Sequence, residues 1–525
     1  MRGRRRFLRD LLAVSAAAAV PRATRGLVGG LAPAVQTSRT DLPEITHGVA
    51  SGDLDGESAM VWARVDRPAR MLVEWATEES FRDARRVVGP VALPETGLTA
   101  CAQIEGLPPG QRIAYRVTFE DLADLRRVSA PAVGSFRAAA SGGDGVRLAW
   151  SADTCGQGWG IDPSRGGLRL YETMLRAAPD VFVHCGDTIY ADAPLPPEIA
   201  LDDGSVWRNL VTPAKAKVAE TLDEFRGNHL YNLSDPHMRA FNASASQIVL
   251  WDDHEVRDNW HFAQRLERDE RYLEKSVAVL AARARKAFLE HQPIRAAAGE
   301  PERIHRTLRL GPLLEVFALD LRSDRGPNSL NDQPVPGPET AILGARQLAW
   351  LKRRLAASTA LWKVIASDMP IGLVVRDFPD RFEAVANGEP GAPLGREHEI
   401  ADLLSSMQRD GVRNVVWITG DVHYCAAHHY HPDRASFRRF DPFWELVAGP
   451  LHAGTFGPNA LDATFGPEVR FLGIPEGMKP NRPPSDGFQF FGTLDIDGGS
   501  GVLTAALHDV EGRALWSQEL EPVRG

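Results

Sequence analysis

Val181-Phe182-Val183-His184-Cys185-Gly186-Asp187-Thr188-Ile189-Tyr190 decides how this chain is read. A short apolar run, Val181 to His184, reads as a strand covered on both faces. A glycine and a carboxylate follow at once, then a tyrosine. The pattern recurs along the chain. Val146 to Ser151 leads into Asp153-Thr154-Cys155, and Gln247 to Trp251 into Asp252-Asp253-His254-Glu255, with Asn259 after it. Leu313 to Leu319 leads into Asp320-Leu321-Arg322, Trp362 to Ala366 into Ser367-Asp368, and Val415 to Thr419 into Gly420-Asp421-Val422-His423. Helix-like stretches, notably Leu168 to Ala178, Arg271 to His291 and Ala345 to Ala356, lie between several of these runs. Strands alternating with helices predict an α/β core. Ligands of such sheets bind beyond the carboxyl ends of the strands, so six chemically rich strand ends converge on one polar edge.

Each feature alone has an ordinary reading. Aspartate after a strand often caps a helix, and a cysteine there is often a small buried apolar group. Tyr190 alone packs, and His423 alone is a structural hydrogen-bonder. The joint pattern is different, because so many carboxylates in one cleft repel one another unless cations neutralise them. A multi-metal site follows. Cys155, Tyr190, His423 and Asp187 make a mixed sulfur, oxygen and nitrogen set whose phenolate and thiolate suit ferric iron. Asp253, Asn259, Asp421 and a shared Asp187 are oxygen donors suited to calcium, with magnesium or manganese ranked below it. Arg322, just past a strand end, is a candidate to clamp a phosphate oxygen, against the reading of a structural ion pair.

The regions outside this core read differently. Residues 41–138 show short alternating runs, at Ser58 to Val65, Arg70 to Ala76 and Arg112 to Phe119, with turn-prone Leu107-Pro108-Pro109-Gly110 between them. They predict a small β-sandwich of fibronectin or immunoglobulin type. Ala139 to Gly145 reads as a linker, and residues 145–525 as the catalytic region. Alternation returns from Phe490 to Leu520, around a hairpin signal at Asp497-Gly498-Gly499. At the start, Arg4-Arg5-Arg6-Phe7-Leu8-Arg9 precedes an alanine-rich apolar run from Leu11 to Val20. Residues 1–34 therefore read as an export signal that resembles the twin-arginine type, with an ordinary secretory signal as the alternative. Export by the Tat machinery to the periplasm or medium is expected. The net charge is −9, and −15 without residues 1–34, which hold seven arginines and one aspartate. This balance argues against nucleic-acid binding. No apolar run of about 20 residues predicts a membrane span in the mature chain, and four cysteines are too few for a disulfide scaffold.

The blocks Asp153-x-Cys155, Gly186-Asp187-x-x-Tyr190, Asp252-Asp253-His254-Glu255 and Gly420-Asp421-x-His423 resemble those of the calcineurin-like metallophosphoesterases. Cysteine in the first block, Trp251-Asp252-Asp253-His254-Glu255-Val256 and Gly420-Asp421-Val422-His423 resemble the PhoD-like alkaline phosphatase branch. His47-Gly48-Val49-Ala50-Ser51-Gly52-Asp53 and Val61-Trp62-Ala63-Arg64 resemble its N-terminal β-domain. The resemblance implies a metallophosphoesterase core and an exported hydrolase of phosphate mono- or diesters using ferric iron and one or two calcium ions. A water acidified by these ions attacks phosphorus in line. Asp187 is implied to bridge the ions, Asp153 to be a further ligand, and Asp252 and Asp368 to be peripheral ligands of a second calcium. His254 is implied to protonate the leaving alkoxide, against a role in orienting a carboxylate. The metal residues do not separate this reading from a dedicated phosphodiesterase, phospholipase D-like or teichoic-acid-degrading. A dimetal oxidoreductase fits the carboxylate-rich second site poorly. Specificity is expected in loops, Ala193 to Asn232 and Asp377 to Gly395.

Overall fold

Two sheets with interlocked inner faces carry the site, and a computed structural model describes them within residues 41–377 and 380–524. The export signal expected over residues 1–34 lies outside the described residues. The first sheet has nine strands and the second seven. At the centre of the first, Val146–Ser151, Val181–Cys185 and Ser246–Leu250 run parallel. At the centre of the second, Leu314–Ala318, Trp362–Ala366, Val415–Thr419 and Phe443–Val447 run parallel. Alternate side chains point to opposite faces of a strand. Leu148, Trp150, Val183, Ile248 and Leu250 thus meet Val316, Ala318, Val364, Val416 and Ile418 in one buried cluster. At ~1.5–3 kcal/mol for each fully buried large aliphatic side chain, this shared core outweighs the surface ion pairs, worth ~0–1 kcal/mol each.

The intervening residues face outward and are covered by helices. Ala149 and Phe182 pack with Leu170, Tyr171 and Met174 of helix Arg169–Ala177 and with Phe241 of Pro236–Asn242. Phe317, Ile365 and Trp417 pack with Leu348, Leu351 and Leu355 of Gly344–Ala357, and with Ile400, Leu403 and Leu404 of Glu397–Arg409. Val277, Leu280, Ala281, Ala284 and Phe288 form one face of helix Val277–His291 against Val249 and Trp251. The result is an α/β fold of two central sheets flanked by helices.

Two boundaries differ from the sequence expectation. The helix expected from Arg271 begins at Val277, because the amides of Leu273 and Glu274 donate to Glu220 Oε1 at 2.5 and 2.7 Å. The expected loop Ala193 to Asn232 contains a helix, Leu222–Asn232, closed by a Thr221–Glu224 capping box that the sequence displayed.

The N-terminal strands divide between sheets. Ala69–Ala76, Arg85–Ala92, Arg112–Asp121 and Ala132–Arg137 form a separate four-stranded sheet. Ile45–Asp55, Ser58–Val65 and Thr99–Glu105 instead extend the nine-stranded sheet, where Ser51 pairs in parallel with Ser246. Gly52 permits this join, since a Cβ there would lie 2.5 Å from Pro293 and 2.7 Å from the Gln247 carbonyl. Next to it, buried Asp53 binds Arg306 through Oδ1, 2.7 Å from Nη2 and 2.9 Å from Nε. The other edge is completed by Phe491–Ile496, Leu503–His508 and Ala514–Leu520, with Asp497 closing the expected hairpin onto the Ser500 amide at 2.7 Å. Among the described residues no helix is long and apolar enough to cross a membrane.

Candidate metal centre

The chain turns abruptly where the central strands end. Asp153, Cys155, Asp187, Asn259, Asp421 and His423 have φ of 67°, 68°, 52°, 55°, 67° and 61°. This left-handed region costs a residue with a side chain ~1–3 kcal/mol and persists where surrounding structure over-determines it. Glycines let the loops close up. A Cβ on Gly449 would sit 2.3 Å from Asp153 Oδ2, and one on Gly156 would sit 2.4 Å from the Tyr190 ring.

The turns bring two groups of ligand atoms together. Those of Asp153, Asp187 and His423 lie within 4.8 Å of one another, and so do those of Asp187, Asp253 and His254. Asp187 belongs to both. Tyr190 joins the first group, its hydroxyl 2.9 Å from His423 Nε2, which is 3.8 Å from Asp153 Oδ1. Asn259 adjoins the second, its backbone N–H donating to Asp253 Oδ2 at 2.6 Å.

The electrostatics fit bound cations. Neither oxygen of buried Asp153 has a hydrogen-bond partner. Burial pushes Asp153, Asp187 and Asp421 well above the usual carboxylate range; Asp252 adds to this at Asp153 and Glu383 at Asp421. Burial, then Asp187, raises the Tyr190 phenol as well. Oxygen donors that resist ionisation in isolation are the groups a cation ionises and holds. His254 behaves oppositely. Burial pushes it down, but Asp192, Asp253 and Asp187 outweigh burial and hold it well above the ordinary histidine value. Its Nδ1 is 2.7 Å from Asp192 Oδ1, and its backbone amide donates to Asp187 Oδ1 at 3.1 Å.

Four expected residues sit elsewhere than the sequence suggested. Cys155 belongs to neither group; it is buried in an apolar cluster with Leu168, Leu195 and Tyr231, and its amide is held by the His452 carbonyl at 2.6 Å. Arg322 has no exposed side-chain surface. A guanidinium so enclosed is not placed as the expected phosphate clamp. Asp252 and Asp368 face that guanidinium, with Asp252 Oδ1 bonded to Nε and Asp368 Oδ2 3.4 Å away.

Sequence reasoning missed three carboxylates. Asp192 supports His254 and follows Tyr190 by two residues, a spacing that could have flagged it. Glu255 stood in view within its block but unassigned; it accepts from the Thr188 and Asp252 amides at 2.6 and 2.7 Å, tying two ligand loops together. Glu383 comes from the Asp377 to Gly395 loop, bonds Arg322 Nη2 at 2.9 Å, and lies 2.7 Å from the amide nitrogen of Asn259. No periodic or motif signal points to it.

Comparison with known proteins gives matches in sequence and in fold. Residues 148–507 match the PhoD-like phosphatase family, and residues 30–140 match the N-terminal domain of PhoD-like phosphatases. Alkaline phosphatase D of Bacillus subtilis (strain 168) is 28% identical over 411 residues, which cover 74% of this chain and 66% of that protein. The chain thus spans just under two thirds of the length of this curated relative. The fold is similar to a solved structure of PhoD, with a TM-score of 0.66 and 21% identity over 93% of this chain and 94% of that one. It is also similar to the purple acid phosphatase PPD1 from yellow lupin (Lupinus luteus) seeds, with a TM-score of 0.56 and 12% identity over 91% of this chain and 74% of that one. With strand-end chemistry, architecture and a match over residues 148–507 in agreement, the chain belongs to the PhoD-like phosphatase family.

Proposed function

We propose that this protein is an exported, metal-dependent phosphoric ester hydrolase acting on phosphate monoesters, diesters or both. The observation that carries the reading is the double use of Asp187, shared by two groups of closely spaced ligand atoms. The first group, together with Tyr190, is assigned to ferric iron. Asp187, Asp253, Asn259 and Asp421 are assigned to calcium. Bound there, the ions supply positive charge and Lewis acidity for water and for the phosphate oxygens.

The residues of the chain do the rest. Asp192 fixes the His254 ring through Nδ1 and keeps it protonated. Nε2 then delivers a proton to the alkoxide as the phosphorus–oxygen bond breaks. Gly454 accepts from His423 Nδ1 at 2.6 Å, which leaves the Nε2 lone pair directed to the site. Arg4-Arg5 and the apolar run after it assign export to the Tat route, to the periplasm or medium. Residues 41–138 are assigned to an N-terminal β-domain and residues 145–525 to the catalytic region.

The test is hydrolysis of p-nitrophenyl phosphate and bis-p-nitrophenyl phosphate by purified protein of known metal content. Turnover of at least one ester, abolished in Asp187→Ala together with loss of metal, is the expected result. A fully metal-loaded wild-type protein inert on both esters sinks the proposal, and the ratio of the two rates assigns mono- or diester preference.

A further inference from the structure

Five carboxylates surround the guanidinium of Arg322. Nε bonds Asp252 Oδ1 and lies 3.4 Å from Asp368 Oδ2. Nη2 lies 2.9 Å from Glu383 Oε1, 3.4 Å from Asp421 Oδ1 and 3.9 Å from Asp253 Oδ1. The turn that aims this side chain is itself braced. Asp320 Oδ1 accepts from the amides of Arg322 and Ser323 at 3.1 and 2.9 Å and from the Trp251 indole at 2.8 Å. Gln347 holds the Asp320 backbone from both sides, accepting its N–H at 2.9 Å and donating to its carbonyl at 2.7 Å. Trp251 directly precedes Asp252, so one carboxylate aligns the arginine with the aspartate that it meets.

We infer that Arg322 is a built-in cation occupying the place of a peripheral calcium, so that the centre takes at most one calcium ion beside iron. The inference rests on the metal-centre reading above. Calcium requires about six to eight oxygens at ~2.3–2.6 Å. An ion held between Asp252 and Asp368 needs the volume that Nε fills. Arginine does not lose its proton in a protein, so the two cations repel in a buried cleft where screening is weak. Expelling the guanidinium also strips Glu383 and Asp421 of their shared partner. Arg322 is therefore a positioning residue, which sets how many ions the cluster accepts and where its carboxylates point.

Equilibrium dialysis of the iron-loaded full chain against radiolabelled calcium tests this. Wild type is expected to saturate at no more than one calcium per chain. Arg322→Ala is expected to bind one more than wild type, while Arg322→Lys, which keeps the charge, matches wild type. Two calcium ions on the wild-type chain overturn the inference, and so does an Arg322→Ala chain that folds and binds no additional calcium. Should Arg322→Ala not fold, a crystal structure of wild type grown in calcium decides. An ion between Asp252 and Asp368 overturns the inference, and the guanidinium in that place supports it. Ester hydrolysis measured on the same wild-type sample is read separately, because an inactive chain with one calcium sinks the phosphoesterase proposal and leaves the role of Arg322 standing.

Discussion

Tyr190 and His423 share a contact of 2.9 Å between phenol oxygen and Nε2, and the far ring nitrogen of His423 is 2.6 Å from the Gly454 carbonyl. A carbonyl only accepts, so Nδ1 carries the ring proton and the phenol donates to Nε2. An ion that displaces this phenolic proton gains a phenolate and an imidazole together. Ferric iron, if held by Tyr190, would give a visible charge-transfer band. Tyr190→Phe is expected to bleach or strongly shift that band while part of the iron remains bound. Absorption spectra with metal analysis check this. A colourless, fully active wild-type enzyme containing zinc or manganese and no iron rules out the ferric assignment.

Asp192 bonds the Nδ1 of His254 at 2.7 Å and so supports the second ligand group from behind, without being one of its members. Loss of such a supporting carboxylate typically costs ~10–100-fold in activity or metal affinity. Asp192→Asn is expected to lower kcat by about that factor with an unchanged thermal midpoint. Turnover equal to wild type assigns the proton delivery to another group.

The rings of His229 and His291 stack with centroids 5.3 Å apart and an interplanar angle of 10°. Burial pushes His229 well below its ordinary value, with His291 adding to the effect, and burial pushes His291 down to about 4. Both rings are neutral in the fold at pH 7, whereas unfolded histidine binds a proton near pH 6.5. Their contribution is complete above pH 6.5 and is lost as pH falls toward 4, by up to about 1.4 kcal/mol per pH unit and ring. His291→Gln is expected to flatten the fall of thermal midpoint across that window. An unchanged slope shows that His291 already binds its proton in the folded state.

Asp53 is fully buried and bonded to Arg306 across two regions of the chain. Removing one partner of a buried pair strands the other charge, at a cost of ~3–5 kcal/mol. Asp53→Ala is expected to lose about that much in denaturant unfolding, with turnover per folded molecule intact. A loss below about 1 kcal/mol shows that water reaches Arg306 and solvates it.

What the sequence disclosed follows from periodicity and adjacency. Val146–Ser151, Trp362–Ala366 and Val415–Thr419 have the expected bounds, because strands enclosed on both faces are mostly apolar, with Arg147 and Lys363 the charged exceptions near their starts. Asp153, Asp187, Asp253 and His423 were legible because each stands within a few residues of a strand end. Glu383 was not, since its place depends on how a long loop folds back onto Arg322. Nor could the sequence show that Arg322 and Asp252, 70 positions apart, meet through the Asp320 brace. The left-handed φ of the ligands leaves no compositional trace either, because aspartate and histidine carry chemistry that glycine cannot supply.

The position of Ile45–Asp55 beside Ser246–Leu250 bears on how the enzyme can be cut. Family comparison separates residues 30–140 from residues 148–507. Physically, Ile45–Asp55, Ser58–Val65 and Thr99–Glu105 of the first region lie along the flank of the second. A fragment that begins at residue 145 uncovers one edge of Ser246–Leu250, where Ser246 and Gln247 otherwise pair with Ser51 and Gly52. Such an open flank is a template for pairing with other chains. A fragment that starts at residue 145 is therefore expected to self-associate more readily than the full chain.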